Sequence, residues 1–231
     1  MPIAVKRRGE SPVCNCFSQS RSRDEVARWF RVSHNRAPDF DPQSSFWPKS
    51  KIPVVRHADD GAREIAIMMW GFVFPQKDKA PRFVTNVRDD KIRTSPFWRA
   101  SFESRRCLVP ATSYADPNGE KPAKWVWFAL KGDEQRPLFA FPGIWRRWNG
   151  PIKKDGEPVE IETVSFMTTD PNALTREINH DRMPVLLTSE DEFATWLTGS
   201  VDDAFGLVHS HDPAHMRIVQ AGKDKQDLLA A

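Results

Sequence analysis

Apolar positions follow two rhythms along the chain, one helical and one alternating. In 23–31 (RDEVARWFR), Val26, Trp29 and Phe30 fall at helical spacing, with Ser22 or Asp24 placed to cap the first turn. Segments 52–56 and 64–74 read as strands, the second ending in a Trp70-Gly71 turn, and 83–88 reads as a short one. A helix is expected over 95–104, opened by Pro96. Four further strand candidates, 106–114, 124–130, 138–148 and 160–168, are rich in Val, Phe, Trp and Ile. Helices are then expected over 171–178, with Asp170 as its cap and Pro171 in its first turn, and over 190–197. The stretch 34–50 reads as polar, proline-rich loop, and 1–12 as an extension ahead of one domain spanning 13–231. Many strands with few helices predict an α+β fold built on a curved or closed, mainly antiparallel sheet.

Composition narrows the function. The 231 residues are 39% hydrophobic, enough for a core without disulfide or metal staples. Lys and Arg total 34 against 31 Asp and Glu, so neither a basic nor an acidic tail protein is expected, although a local basic face is compatible with the +3 balance. No run approaches the ~20 apolar residues of a membrane span. The three cysteines, Cys14, Cys16 and Cys107, do not make a secreted disulfide framework, so the expected compartment is a reducing cytosol, bacterial or nucleoid-associated. Cys14-x-Cys16 lacks zinc-knuckle spacing, and His209-x-His211-x3-His215 lies in an Asp-Pro loop, so no metal is expected. No nucleotide-binding glycine loop and no serine-hydrolase elbow is found, and no cofactor is expected.

What remains is a set of polar residues in apolar settings. Asn86 sits between Val-rich neighbours, where an amide weakens a strand unless it is used. Asp116 ends a strong strand, as a turn former or as a site group. His180 stands at a helix-to-strand junction, where a backbone-bonded histidine is an equally ordinary reading. With Cys14 they form an inventory of one nucleophile and several proton-handling groups.

The order and text of these segments resemble the SRAP family (SOS-response-associated peptidase), the abasic-site processing proteins. Val13-Cys14-Asn15-Cys16-Phe17 is similar to the family's Met-Cys-Gly-Arg-Phe start, and Met69-Trp70-Gly71-Phe72-Val73 to its Trp-Gly element. Asn86-Val87-Arg88-Asp89-Asp90 resembles Asn-Ala-Arg-x-Glu, and Arg106 to Ala111 resembles Arg-Cys-Leu-hydrophobic-Pro-Ala. The most specific piece is His180-Asp181-Arg182-Met183-Pro184.

The resemblance implies a monomer that acts in the DNA-damage response and binds abasic sites in single-stranded DNA covalently. An N-terminal Cys14 would offer its α-amine and thiol to the sugar aldehyde and close a thiazolidine. Asn86 would orient that cysteine, His180 would move protons, and Asp116 stands where the family has a Glu acting on the imine. Arg88 would meet the DNA backbone and Trp70 would border a groove in which bases stack, while Arg105, Arg106, Arg146 and Arg147 are further candidates for a phosphate-tracking face or else ordinary solvated strand ends. Three departures follow. Asp116 is one methylene shorter than Glu and falls short unless the backbone shifts, Asn15-Cys16 replaces Gly-Arg, and Ser44 to Pro48 keeps only the proline of the family's Tyr-Asn-x-Ala-Pro loop. Because an internal cysteine has an amide nitrogen, the active chain is expected to begin at Cys14, by initiation at Val13 or by self-cleavage. The alternatives are a thiol peptidase using Cys14 and His180, and a single-stranded DNA-binding module without crosslinking chemistry.

Overall fold

The computed structural model describes residues 14–34, 37–132, 136–178 and 180–228, so the extension expected at 1–12 lies outside the described residues. Strands β1 (Cys16–Gln19) and β2 (Gln43–Phe46) flank helix α1 (Arg23–Trp29). Two hairpins follow, β3 (Lys51–His57) with β4 (Arg63–Trp70), and β5 (Phe72–Gln76) with β6 (Lys79–Val84). Then come β7 (Asn86–Arg88), α2 (Asp89–Ile92), α3 (Pro96–Ser104), β8 (Arg106–Ala111), β9 (Ser113–Pro117) and β10 (Trp125–Leu130). The chain continues through β11 (Phe139–Gly150), β12 (Val159–Thr169), α4 (Ala173–Arg176), β13 (Met183–Pro184), α5 (Glu190–Thr198), α6 (Val201–Gly206) and β14 (Met216–Gly222).

Strands β11, β8, β3, β4 and β12 pair in that order, and β12 pairs back onto β11, closing a ring that is antiparallel except where β12 runs parallel to β4. A five-stranded sheet, β14-β10-β9-β1-β2, packs against it. The closed, mainly antiparallel α+β architecture expected from the pattern is the one found. Aromatic rings fill the space between the sheets. Phe141 and Phe166 stack at 4.4 Å, Trp70 stacks on Phe166 at 5.2 Å, and Phe17 meets Trp70 edge-on at 5.1 Å. The helices cover the outside of the ring through a second cluster that includes Phe30, Trp98, Phe102 and Trp196.

The differences from the expected elements have local causes. Gly71 has φ +114 and splits 64–74 into two strands; a Cβ there would lie 3.0 Å from Phe83 Cβ. The 34–50 loop contains β2, whose Gln-Ser-Ser-Phe text lacks an apolar alternation because it is an edge strand. Helix α4 starts two residues later than expected, capped by Asn172, whose side chain accepts from Thr175 N at 3.0 Å. Asp170 is instead paired with Arg182 at 3.3 Å.

Candidate functional site

Cys14 precedes β1 with φ +43, a left-handed conformation uncommon for a residue with a side chain. That turn aims its main-chain N–H at β9, where it donates to Asp116 Oδ1 at 2.6 Å. The shorter carboxylate therefore reaches the nitrogen. On the other side, Asn86 Nδ2 donates to Cys14 O at 3.5 Å, and Thr85 Oγ1 donates to Asn15 Oδ1 at 3.0 Å. Asn86 is placed by β7, which runs parallel to β12 with Asn86 opposite Phe166. Cys14 thus bridges the two sheets.

His180 follows α4 and lies over the end of β9. Its Nε2 donates to Pro117 O at 2.6 Å. Because a carbonyl only accepts, that bond fixes the proton on Nε2 and leaves Nδ1, 4.0 Å from Asp116 Oδ2, as the acceptor in the neutral ring. Neither Nδ1 nor Oδ2 has a hydrogen-bond partner among the described residues. Asp116 is fully buried, and burial pushes its carboxyl up to about 7 against the opposing pull of His180 and the Cys14 N–H. Burial, then Asp116, then Cys16 push the Cys14 thiol well above its ordinary value. This is the opposite of a thiolate activated for peptide cleavage. The sole tyrosine, Tyr114, lies two residues before Asp116 on β9 with its ring stacked on Phe128.

A groove of about 630 Å³ opens at Asn86, with Phe74, Phe83 and Phe97 among its walls and Arg82, Arg88, Lys91 and Arg182 as its cations. Arg88 is half-exposed and pairs with Asp90 at 3.0 Å. Arg182 is buried by bonds to Asp89 and to Thr168 O, both at 2.6 Å, which fix the turn after His180. Sequence reasoning passed over Arg182, although the His-Asp-Arg-Met-Pro string contains it.

Two residues expected at the DNA lie outside the groove. Trp70 is completely buried, stacked on Phe166 with its Nε1 donating to Thr85 O at 3.2 Å, so it has no face for a base. It points inward because it lies on the core-facing register of β4. Arg147 is exposed beside Glu162 at 3.7 Å on β12 and does not line the groove. Three further basic candidates hold the fold together instead. Arg105 donates to Trp145 O, Arg106 to Gly199 O, and Arg146 to Val73 O.

The family model for SOS response associated peptidase (SRAP) matches residues 13–224. The chain belongs to the SRAP family. SRAP relatives include the abasic site processing protein YoqW of Bacillus subtilis, 28% identical over 225 residues that cover 94% of this chain and 91% of that protein. HMCES of Xenopus tropicalis, also named an abasic site processing protein, is 26% identical over 82% of this chain and 64% of its own length. A crystal structure of a Bacteroides thetaiotaomicron protein superposes with a TM-score of 0.73 at 23% identity, covering 94% of this chain and 98% of that one. The two chains share this fold. No helix among the described residues is long and apolar enough to cross a membrane.

Proposed function

We propose that this SRAP protein captures abasic sites in single-stranded DNA by a covalent bond to Cys14, in a form of the chain that begins at Cys14. The observation that carries this reading is the buried Asp116 carboxylate on the Cys14 nitrogen, 2.6 Å away. With Cys14 first, that nitrogen is an α-amine, whose ordinary pKa near 7.7–8.0 leaves part of it neutral at physiological pH. Burial holds this carboxyl above its ordinary value, which suits it to taking the ammonium proton and returning one.

The steps balance without an external reagent. The amine nitrogen adds to the sugar aldehyde to give a carbinolamine. Asp116, relayed by His180 Nδ1, protonates the departing hydroxyl, one water leaves, and the proton left on nitrogen returns to Asp116 as the neutral imine forms. The Cys14 S–H then adds across the C=N bond, sulfur to carbon and hydrogen to nitrogen, closing a thiazolidine. Because the thiol enters protonated, its raised pKa is compatible with this route. Both nucleophiles sit on one residue, so ring closure is intramolecular and strongly favoured. Asn86 keeps Cys14 in place through its carbonyl, and the basic, aromatic groove receives the strand. The names of the curated relatives support abasic DNA as the partner.

The test is a chain beginning at Cys14, incubated with a single strand carrying one abasic site and resolved on a denaturing gel. A shifted band that needs both the aldehyde and Cys14, and forms more slowly on intact duplex, is expected. Folded protein that binds the strand but gives no denaturation-resistant band overturns the proposal.

A further inference from the structure

With Trp70 buried, the stacking surface has to be sought elsewhere on the molecule. Trp47 and Trp125 are both partly exposed, and their rings meet edge-to-face at 5.2 Å. They come from different strands. Trp47 lies one residue beyond the Phe46–Phe17 pair of β2 and β1, and Trp125 opens β10 directly opposite Pro117. Pro117 follows Asp116, and its carbonyl holds His180. The two indoles therefore lie at the same end of the sheet as Asp116 and Cys14 but on its opposite face, because Ala115 and Pro117 alternate with Asp116 along β9. Along the strands the offset is about two residues at about 3.3 Å each, so single-stranded DNA crossing this rim of the sheet reaches both faces.

They occupy the outer face of the five-stranded sheet, packed on Cys16, Ala115 and Trp127. Lys225 lies over the Trp125 ring at 5.8 Å, adding a cation beside the aromatic surface. The groove is reached from Cys14 through Asn86; the indole pair is reached through Asp116 and Pro117. We propose that Trp47 and Trp125 form a stacking platform for a nucleobase of single-stranded DNA, so that the abasic nucleotide at Cys14 is gripped on both flanks. This rests on the single-strand reading above but assigns its aromatic contact to residues outside the groove. Edge-to-face packing holds each ring at a fixed angle, so little ordering is lost when a base stacks.

The test measures the Kd for a labelled, undamaged oligothymidine by anisotropy, which requires no crosslink. Trp47→Ala or Trp125→Ala is expected to weaken binding by about tenfold, within the range of one base–aromatic stack. The double substitution should add little, because one platform is lost, and Trp125→Phe should recover most of the affinity. Trp29→Ala, which removes a 46% exposed indole on α1, should change nothing. Affinity unchanged by Trp47→Ala and Trp125→Ala in variants with wild-type thermal midpoints overturns the platform, even if crosslinking proceeds. A tenfold loss in a protein that never crosslinks supports the platform and removes the capture chemistry. Wild-type protein without affinity for the strand overturns both.

Discussion

Two carboxylates, Asp116 and Asp227, are equally buried and differently surrounded. Asp227 Oδ2 accepts from Ser113 Oγ and from Ser18 Oγ at 3.2 Å, and the carboxylate is ion-paired with buried Arg136. Its own N–H donates to Ser44 O at 2.9 Å, so it ties the tail to β1, β2 and β9. Asp116 has one main-chain N–H on Oδ1, an Oδ2 without a hydrogen-bond partner among the described residues, and a histidine at 4.0 Å. Depth alone does not distinguish them. A carboxylate surrounded by donors and a cation holds structure, whereas one left half-satisfied is held near the point where it exchanges a proton.

The comparison breaks most readily at Asp227. Asp227→Ala leaves the Arg136 charge buried without its partner, and a stability loss of ~3–5 kcal/mol is expected in urea unfolding. The crosslinking rate of the fraction that remains folded should be unchanged. A stable variant with a slowed crosslink would mean that the tail cluster shares in the chemistry.

Asp116→Asn should do the reverse. The amide oxygen still accepts the Cys14 N–H, but the side chain no longer exchanges protons, and the single-turnover crosslinking rate should fall about a hundredfold, the scale of general acid–base catalysis. Stability should rise, with a definite pH dependence. The folded pKa of Asp116 lies above its ordinary value of about 3.9, so the folded state binds the extra proton. The cost of ionising it in the interior is absent below about pH 4, grows from there to about pH 7, and is complete above. The thermal midpoint of the full-length variant should therefore exceed wild type more at pH 8 than at pH 5. Equal midpoints at both pH values would place Asp116 in the ordinary carboxylate range.

Much of this was legible in the sequence, and the failures were of one kind. Strands 106–114, 124–130, 138–148 and 160–168 announced themselves through dense Val, Phe and Trp, and each is found as strand, the first divided at Thr112 into β8 and β9. Short or polar strands gave no such signal. β1 is four residues long and β2 is Gln-Ser-Ser-Phe; β9 holds β1 in register and β1 holds β2, with the aromatic core behind them. Asn86, Asp116 and His180 stood out as polar residues in apolar text, which is where a half-satisfied group shows. Their convergence on Cys14 depends on β7 pairing parallel to β12 and on a left-handed Cys14, and no local pattern encodes either. Trp70, expected beside a groove, is core instead, because the face of a strand is set by register and not by residue type.

The most direct test is a carbon-13 NMR titration of the side-chain carboxyls of the full-length chain, with Asp116→Asn assigning the signal. The account predicts a single Asp116 transition centred near pH 7 that vanishes in the variant. A transition centred near the ordinary 3.9 would contradict it, because a carboxylate already ionised throughout the neutral range has no proton to return to the departing hydroxyl.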